Sequence, residues 1–481
     1  MTKSKERVSM KKFFDFLLKD KFNLILFILY FVIALICVCY HEIWRDEAQV
    51  WLVARDLNLW GIFDHVRNEG HPLLWYLFVL PFAKSGLPVF SMQLVSFAFM
   101  SIAAGVFLWT SPFNRVVKTT VVLSAGFLYF LSVISRNYSI IPLFLFLMAY
   151  YYPKQKEKPY HYAISLALLA HTHILMCGFC TGMAVLFFKD NILANWKTEE
   201  KKKFVAPFLI IFLSLLSVVI YVATRPEMNV SVMYYTSNFH PNLLNAVKDL
   251  LINLYGQVTF STAVAGIMIP VLHVMLFREN KGLFFVSIFS AIYQFYIYMC
   301  VWKTSPEKAF TLLLVLLFCF WVVFKQKPEK YIGTSIMLAC VFGFSMNLAY
   351  NVVKNDIKYY YSDSKRTAKF IENNIEKDAV ILANFPSVTT AVVAYLPKGR
   401  KFYSPYINNF YTYGFDNKVQ NDYKEYEIPE KLKNEKVYFL YSYVNVPDSG
   451  VVVYEDNENV VYKSGDDVLL ASEIFWIIKG N

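Results

Sequence analysis

The chain has 481 residues, of which 57% are hydrophobic, 18% aromatic and only 17% charged. Soluble domains usually carry about 25% charged residues, and a soluble protein of this size could not hide so much apolar surface without aggregating. The composition therefore excludes an ordinary soluble protein and predicts a polytopic α-helical membrane protein. In such a chain the net charge of +11 is expected to orient the helices in the bilayer and not to bind nucleic acid.

The first apolar run, residues 22–40, is long enough to cross a bilayer, which takes about 20 residues. Seven Lys and Arg residues precede it, and basic residues favour the cytoplasmic side. We therefore expect a cytoplasmic N-terminus and a long outer loop over about 41–88. Ten further runs bring the predicted number of spans to about eleven; they lie near 89–110, 117–134, 138–152, 160–171, 174–188, 204–224, 256–277, 283–302, 309–324 and 332–350.

The distribution of charge agrees with this topology. Loops assigned to the cytoplasm carry 22 Lys and Arg residues, whereas loops assigned to the outside carry 9. Residues 1–350 have a balance of +13 and residues 351–481 a balance of −2. The sequence therefore predicts a multi-pass plasma-membrane region over 1–350 and an extracytoplasmic soluble domain over 351–481.

The C-terminal domain combines helix and strand patterns. Residues 364–375 predict a helix. The segments 378–385, 436–443, 450–456 and 473–479 are rich in β-branched and aromatic residues and end at Gly, Pro, Asn or Asp, a pattern typical of strands. We therefore expect a small α/β domain.

The first outer loop holds the densest group of ionisable residues. It opens with HEIWRDEAQVW, which contains Arg45, Asp46 and Glu47, and it closes with EGHPLLWY, which contains Glu69 and His71. On a helix the adjacent Asp46 and Glu47 point in different directions, so at most one of them faces a given pocket. A carboxylate beside the apolar phase can have a raised pKa and act as a general base. The alternative is a solvated loop in which these acids pair with nearby arginines.

Three other predicted outer turns carry polar side chains that could converge on this loop. The residues of interest are Arg136 and Tyr138, His171 and His173, and Lys303 and Lys308. Cationic side chains at this depth can bind a lipid phosphate, although polar residues are also normal in turns at a membrane surface. Two histidines without a third ligand do not indicate a metal site, so we predict no metal and leave a divalent cation open.

These motifs resemble those of the GT-C glycosyltransferases, in particular the family 39 group, which includes the lipid A aminoarabinose transferases and is related to the protein O-mannosyltransferases. In that group a first span precedes an outer loop that opens with an acidic D-E motif, which Asp46 and Glu47 match. A K-P-P-L-x-Y-W or H-P-P-L-x-Y motif follows in the same loop, and residues 69–76 are similar to it. Residues 135–138 resemble the later A-R-x-Y turn. The likeness covers 1–350 in layout and 41–140 in motif.

The resemblance implies transfer of a sugar, with inversion, from a polyprenyl-phosphate donor to a hydroxyl of an envelope glycan, lipid or protein. Carried over by position, Asp46 is the first candidate for the base, and Glu47 is the neighbour that shares or replaces this role. His71 lies where relatives can have a Lys that holds the donor phosphate, and Arg136 would assist there. The sequence departs from the motif, since Leu73 stands where a second proline is common. Further phosphate-binding candidates are Arg45, Lys303 and Lys308, and further pocket candidates are Glu69, Tyr138, His171 and His173.

Two other classes of function remain open. A lipid or polysaccharide transporter without catalysis would need polar residues along a path through the bundle, and the sequence offers few, such as Gln93, Gln257 and Gln294. A receptor or envelope assembly protein would use the C-terminal domain for binding.

Overall fold

Eight helices in the described part of the chain are long and apolar enough to cross a membrane. The computed structural model describes residues 15, 17–69, 71–224, 242–301, 303–325, 331–383, 386–405, 407–413, 428–442 and 459–480. The eight candidate spans are Lys21–Tyr40, Phe90–Thr110, Ile174–Leu193, Glu199–Ala223, Phe260–Glu279, Lys281–Cys300, Pro306–Lys325 and Ile332–Lys358. Large apolar side chains are exposed on several of them, as expected of helices that face lipid; they include Ile25, Leu213, Val219, Ile267, Phe285 and Ile336. The architecture is consistent with a polytopic membrane protein.

The helical region contains these spans and shorter helices between them and at their ends. The α-helices up to residue 358 are α1 (Lys21–Tyr40), α2 (Arg45–Asp56), α3 (Leu59–Glu69), α4 (Leu74–Lys84), α5 (Phe90–Thr110), α6 (Arg115–Val122), α7 (Ile141–Tyr151), α8 (Pro159–Ala170), α9 (Cys177–Phe187), α10 (Lys202–Ala223), α11 (Leu243–Tyr255), α12 (Phe260–Glu279), α13 (Lys281–Cys300), α14 (Pro306–Phe324), α15 (Ile332–Gly343) and α16 (Met346–Lys358). A π-helical turn, Gly126–Phe130, and a 3-10 turn, Asn137–Ile140, lie between α6 and α7.

The predicted number of about eleven spans is not confirmed. The spans expected near 117–134, 138–152 and 160–171 contain the shorter helices α6, α7 and α8, which have 8, 11 and 12 residues. At 1.5 Å per residue such helices extend about 12–18 Å, whereas the hydrocarbon core is about 30 Å thick. The π-helical turn and the bends that follow it interrupt the first of these three runs.

The predicted outer loop, 41–88, is folded into α2, α3 and α4. Helix α4 is apolar but has only 11 residues, so it is too short to cross a bilayer. Helix α2 packs against α4 on one side and against Pro386–Tyr395 of the C-terminal domain on another. The loop is therefore held between the helical bundle and that domain.

The C-terminal domain contains a mixed six-stranded sheet with the order β3-β2-β1-β4-β6-β5. Its elements are α17 (Ser364–Asn374), β1 (Val380–Ala383), α18 (Pro386–Tyr395), β2 (Phe402–Ser404), β3 (Asn409–Tyr411), β4 (Val437–Ser442), β5 (Val460–Lys463) and β6 (Phe475–Lys479). Strand β1 is parallel to β2 and β4, and the other neighbours are antiparallel. The helix predicted over 364–375 and three of the predicted strands are present, whereas the strand predicted at 450–456 lies outside the described residues.

The two faces of β1 belong to different hydrophobic cores. Ile381 and Ala383 join the large core that continues into the helical bundle, whereas Val380 and Leu382 join a small core inside the domain. Because residues alternate between the faces of a strand, one face of β1 belongs to the large core, together with residues of β2, β4 and β6. Helix α16 also runs across residue 350, where the sequence suggested a domain boundary.

Gly126 allows the π-helical turn to approach α14. A Cβ at this position would lie well inside van der Waals contact of the Phe310 ring. We expect Gly126→Ala to destabilise the protein by about 1–3 kcal/mol, the usual cost of overpacking a core, and to lower the melting temperature of the detergent-solubilised chain. Gly105→Ala is the matched control, because nothing lies within 4 Å of a Cβ there and alanine favours the helix. Equal melting temperatures for the two variants would contradict the close approach.

Candidate functional site

Asp46 and Glu47 lie in the first turn of α2 and face different sides of it. The carboxylate of Glu47 accepts a hydrogen bond from the backbone N–H of Trp44 at 3.3 Å, which satisfies a free donor at the helix start. Acidic residues at this end also interact favourably with the helix dipole. The side chain of Asp46 is 37% exposed, whereas that of Glu47 is completely buried.

Glu47 connects three parts of the chain. Its Oε1 accepts a hydrogen bond from the backbone N–H of Ser135 at 2.6 Å, and its Oε2 lies 3.1 Å from Nε2 of His41. These partners occupy both carboxylate oxygens, and Glu47 is not among the residues that line the cavity described below. Glu47 therefore fixes the turn that carries Arg136 and is not placed to contact a ligand there.

His41 lies between two buried carboxylates. Its Nε2 contacts Glu47, and its Nδ1 lies 3.2 Å from Oδ2 of Asp356, near the end of α16. Burial by itself would lower the pKa of His41, but the charges of Asp356 and Glu47 raise it to about 10. The imidazole is therefore protonated at physiological pH, and it neutralises part of the negative charge of both partners.

Asp46 forms an ion pair with Arg136 at the edge of a cavity. The second arginine near Asp46 is Arg45, whose Nε lies 3.7 Å from Oδ1 of the carboxylate. The cavity has a volume of about 190 Å³ and is lined by Asp46, Gln49, Val50, Glu69, His71, Pro72, Trp75, Tyr76, Arg136 and Asn137. The two motifs of the first loop and the 135–138 turn therefore form one site.

Glu69 is the second acidic residue that lines the cavity. Its Oε2 accepts a hydrogen bond from the Tyr76 hydroxyl at 2.6 Å, and its Oε1 lies 3.4 Å from Nε2 of His65. Burial favours a raised pKa for Glu69, but the hydrogen bonds from His65 and Tyr76 hold this pKa below its usual value. Glu69 is therefore an ionised hydrogen-bond acceptor in the site.

His71 is half-buried beside His173, with 4.6 Å between the ring centroids. The ring of His173 stacks in turn on Tyr138, at 4.4 Å. Burial, followed by the charges of Arg136 and Lys308, lowers the pKa of His71 to about 4. His71 is therefore neutral at physiological pH.

The structure brings most of the predicted residues together. Asp46, Glu69, His71 and Arg136 line the cavity. His173 and Lys308 are within electrostatic range of His71. Lys303 and His171 do not line the cavity: the carbonyl of Lys303 accepts a hydrogen bond from Lys308 at 3.1 Å, and His171 lies 3.3 Å from the hydroxyl of Ser217. The functional roles given to all of these residues stay predictions.

Several residues around the site were not identified from the sequence. Gln49 and Asn137 line the cavity, and Glu307 is within electrostatic range of Arg136. Asp356 lies 315 positions from His41, so no local pattern indicates their contact. Among the described residues, no group of three His, Cys, Asp or Glu side chains could hold a metal ion.

Two hydrogen bonds join the C-terminal domain to the loop directly before Asp46, and each side supplies one carboxylate acceptor. Glu473 of the domain accepts one from the backbone N–H of Arg45 at 2.8 Å, and Glu42 of the loop accepts one from the backbone N–H of Tyr361 at 3.1 Å. Both carboxyls are buried. Burial raises the pKa of each to about 7.

Ile43 adds two more hydrogen bonds to this contact. Its backbone N–H donates to the Tyr395 hydroxyl at 2.8 Å, and its carbonyl accepts from the Ser364 hydroxyl at 2.9 Å. The domain therefore holds the backbone from residue 42 to 45, and Asp46 follows immediately.

In comparisons with known proteins, no protein-family model matches this chain and no match was found among curated proteins.

The buried acids at this junction predict a pH-dependent stability. A carboxyl whose pKa is raised to about 7 in the folded state stabilises the fold at low pH, and this contribution is lost as the pH rises through about 4.5 to 7. We expect the full-length protein to melt at a lower temperature at about pH 8 than at about pH 5.5, and Glu473→Gln to reduce this difference. Glu372→Gln, at an exposed position of α17, is the control. An unchanged pH dependence in the Glu473 variant would contradict the assignment.

Proposed function

We propose that the protein is a membrane glycosyltransferase that moves a sugar from a polyprenyl-phosphate donor to a hydroxyl of a cell-envelope acceptor. The observation that carries the proposal is the pairing of Asp46 with Arg136 at the wall of one cavity, beside His71 and Glu69. Transfer from a phosphate needs a base for the acceptor and cationic or N–H donors for the leaving group. Both kinds of group occur here within a volume of about 190 Å³.

Asp46 is the proposed base. It accepts the proton of the acceptor hydroxyl as the oxygen attacks the anomeric carbon. The new C–O bond forms on the face opposite the leaving group, and the bond from the anomeric carbon to the phosphate oxygen breaks. The electron pair of the broken bond leaves with the polyprenyl phosphate. Because the attack comes from the opposite face, the configuration at the anomeric carbon is inverted. Glu47, which is buried against His41 and Ser135, is a positioning residue in this scheme.

Arg136, His71 and Lys308 are the proposed partners of the phosphate. A guanidinium can form two parallel hydrogen bonds to phosphate oxygens, and the neutral His71 can donate one more. A bound phosphate would also favour the protonated imidazole, because an opposite charge nearby raises the pKa of a histidine. These donors stabilise the negative charge that develops on the leaving group.

The remaining walls suit a sugar ring. Trp75 and Tyr76 provide aromatic surface, while Glu69 and Gln49 provide hydrogen-bonding groups. Binding sites for small polar ligands typically combine apolar or aromatic walls with a few placed polar groups. The distribution of basic residues supports a location on the extracytoplasmic side of the plasma membrane, where the C-terminal domain would also lie.

Substituting Asp46 and Glu47 one at a time should show which of them is the base and which is the positioning residue. We expect Asp46→Asn to reduce sugar transfer by about 100-fold or more, as loss of a general base typically does, while its melting temperature stays near that of the wild type. Glu47→Gln should lower the melting temperature, because it weakens the contact with protonated His41. Transfer would be measured in membrane vesicles with native lipid-linked sugars, by mass spectrometry of the envelope acceptors.

Asp64→Asn is the matched control, since this carboxylate lies on α3, is 67% exposed and pairs only weakly with Arg67 at 3.8 Å. It should transfer sugar at the wild-type rate. Wild-type turnover in Asp46→Asn would exclude Asp46 as the base. A stable but inactive Glu47→Gln beside an active Asp46→Asn would assign the base to Glu47 instead.

A further inference from the structure

Arg136 has two partners in the proposed reaction, and it cannot serve both fully at the same time. In the structure its guanidinium pairs with the carboxylate of Asp46. During transfer, Asp46 must accept a proton and Arg136 must contact the donor phosphate. A carboxylate oxygen that accepts a hydrogen bond from a guanidinium has one lone pair fewer to offer to the proton of the acceptor hydroxyl.

We propose that the donor phosphate displaces Asp46 from Arg136, so that donor binding releases the base. This inference rests on the proposed function and adds an order to it: the donor binds first, and only then can the acceptor be activated. In the absence of donor, the base stays masked by the arginine.

The geometry allows the side chain of Arg136 to change partner while its backbone stays fixed. The preceding residue, Ser135, is held by Glu47 through a hydrogen bond of 2.6 Å, and a 3-10 turn begins directly after Arg136. The guanidinium group lies 6.0 Å from the Tyr138 ring centroid. Five N–H donors in one plane let an arginine exchange one carboxylate or phosphate for another without a large movement.

The charges around the pair favour an exchange over a permanent contact. Asp46 is 37% exposed, so it can be hydrated when it loses the arginine. Arg45 lies 3.7 Å from Oδ1 of Asp46, so the exchange would release only Oδ2, the oxygen that pairs with Arg136. A phosphate that binds Arg136 must therefore compete with Asp46, a charged group of the site itself.

This competition has a measurable consequence. If the Asp46 carboxylate competes with a phosphate for the Arg136 guanidinium, removal of the Asp46 charge must strengthen phosphate binding although it slows transfer. A residue that only stabilised the fold, or that contributed only to substrate binding, would weaken binding when mutated. Opposite effects of one substitution on donor affinity and on turnover therefore identify the exchange.

The experiment measures the dissociation constant of farnesyl phosphate for the full-length protein in detergent, by isothermal titration calorimetry. We expect Asp46→Asn to bind roughly fivefold more tightly than the wild type, which is the effect of about 1 kcal/mol. Arg136→Gln should bind more weakly. In a double-mutant cycle, the gain from Asp46→Asn should shrink in the Arg136→Gln background to the small gain that the loss of one negative charge gives, because the competition is already absent.

Glu69→Gln is the control for general electrostatics, since it removes one negative charge from the same cavity but its carboxylate is bonded to Tyr76 and His65. The gain in affinity of Glu69→Gln should be smaller than that of Asp46→Asn, and it should persist in the Arg136→Gln background. Equal gains for both variants, or weaker binding by Asp46→Asn, would overturn the exchange while the proposed transferase remained possible. A wild-type protein that does not bind farnesyl phosphate would overturn the proposed donor and the exchange together.

Discussion

The protonated imidazole of His41, held between Glu47 and Asp356, is the interaction on which the candidate site depends. It joins the end of α1 and the first turn of α2 to the end of α16, where Asp356 lies 315 positions from His41 in the sequence. Two buried carboxylates without this cation would be costly, because an unpaired buried charge loses its hydration without compensation. Through Glu47 the same network reaches Ser135, and thereby sets the position of Arg136 beside Asp46.

The C-terminal domain stabilises the same loop from the other side. Hydrogen bonds from its residues hold the backbone just before Asp46, and strand β1 shares the hydrophobic core of the bundle. The domain is thus a structural part of the candidate site. Its contacts with the loop do not require the domain to be a separate binding module. Because α16 leads directly into the domain and carries Asp356, any shift of the domain would also act on His41.

The sequence predicted the features that depend on local pattern. Helical spans, the helix 364–374 and the divergent directions of Asp46 and Glu47 follow from periodicity and composition alone. It could not predict that Asp356 meets His41, or that burial lowers the pKa of His71, because these depend on packing between distant segments. The count of about eleven spans is not confirmed in the 117–171 region, where hydropathy resembles that of a span but a π-helical turn and bends divide the chain.

Mass spectrometry of polyprenyl-linked sugars and envelope glycans tests most directly the proposal that this cavity consumes a lipid-linked sugar. Cells that lack the gene would be compared with cells that carry either the wild-type gene or its Asp46→Asn form. We expect one polyprenyl-phosphate sugar to accumulate, and one envelope sugar to be lost, in the deletion and Asp46→Asn strains alike. Identical lipid and glycan profiles in all three strains would contradict the proposal.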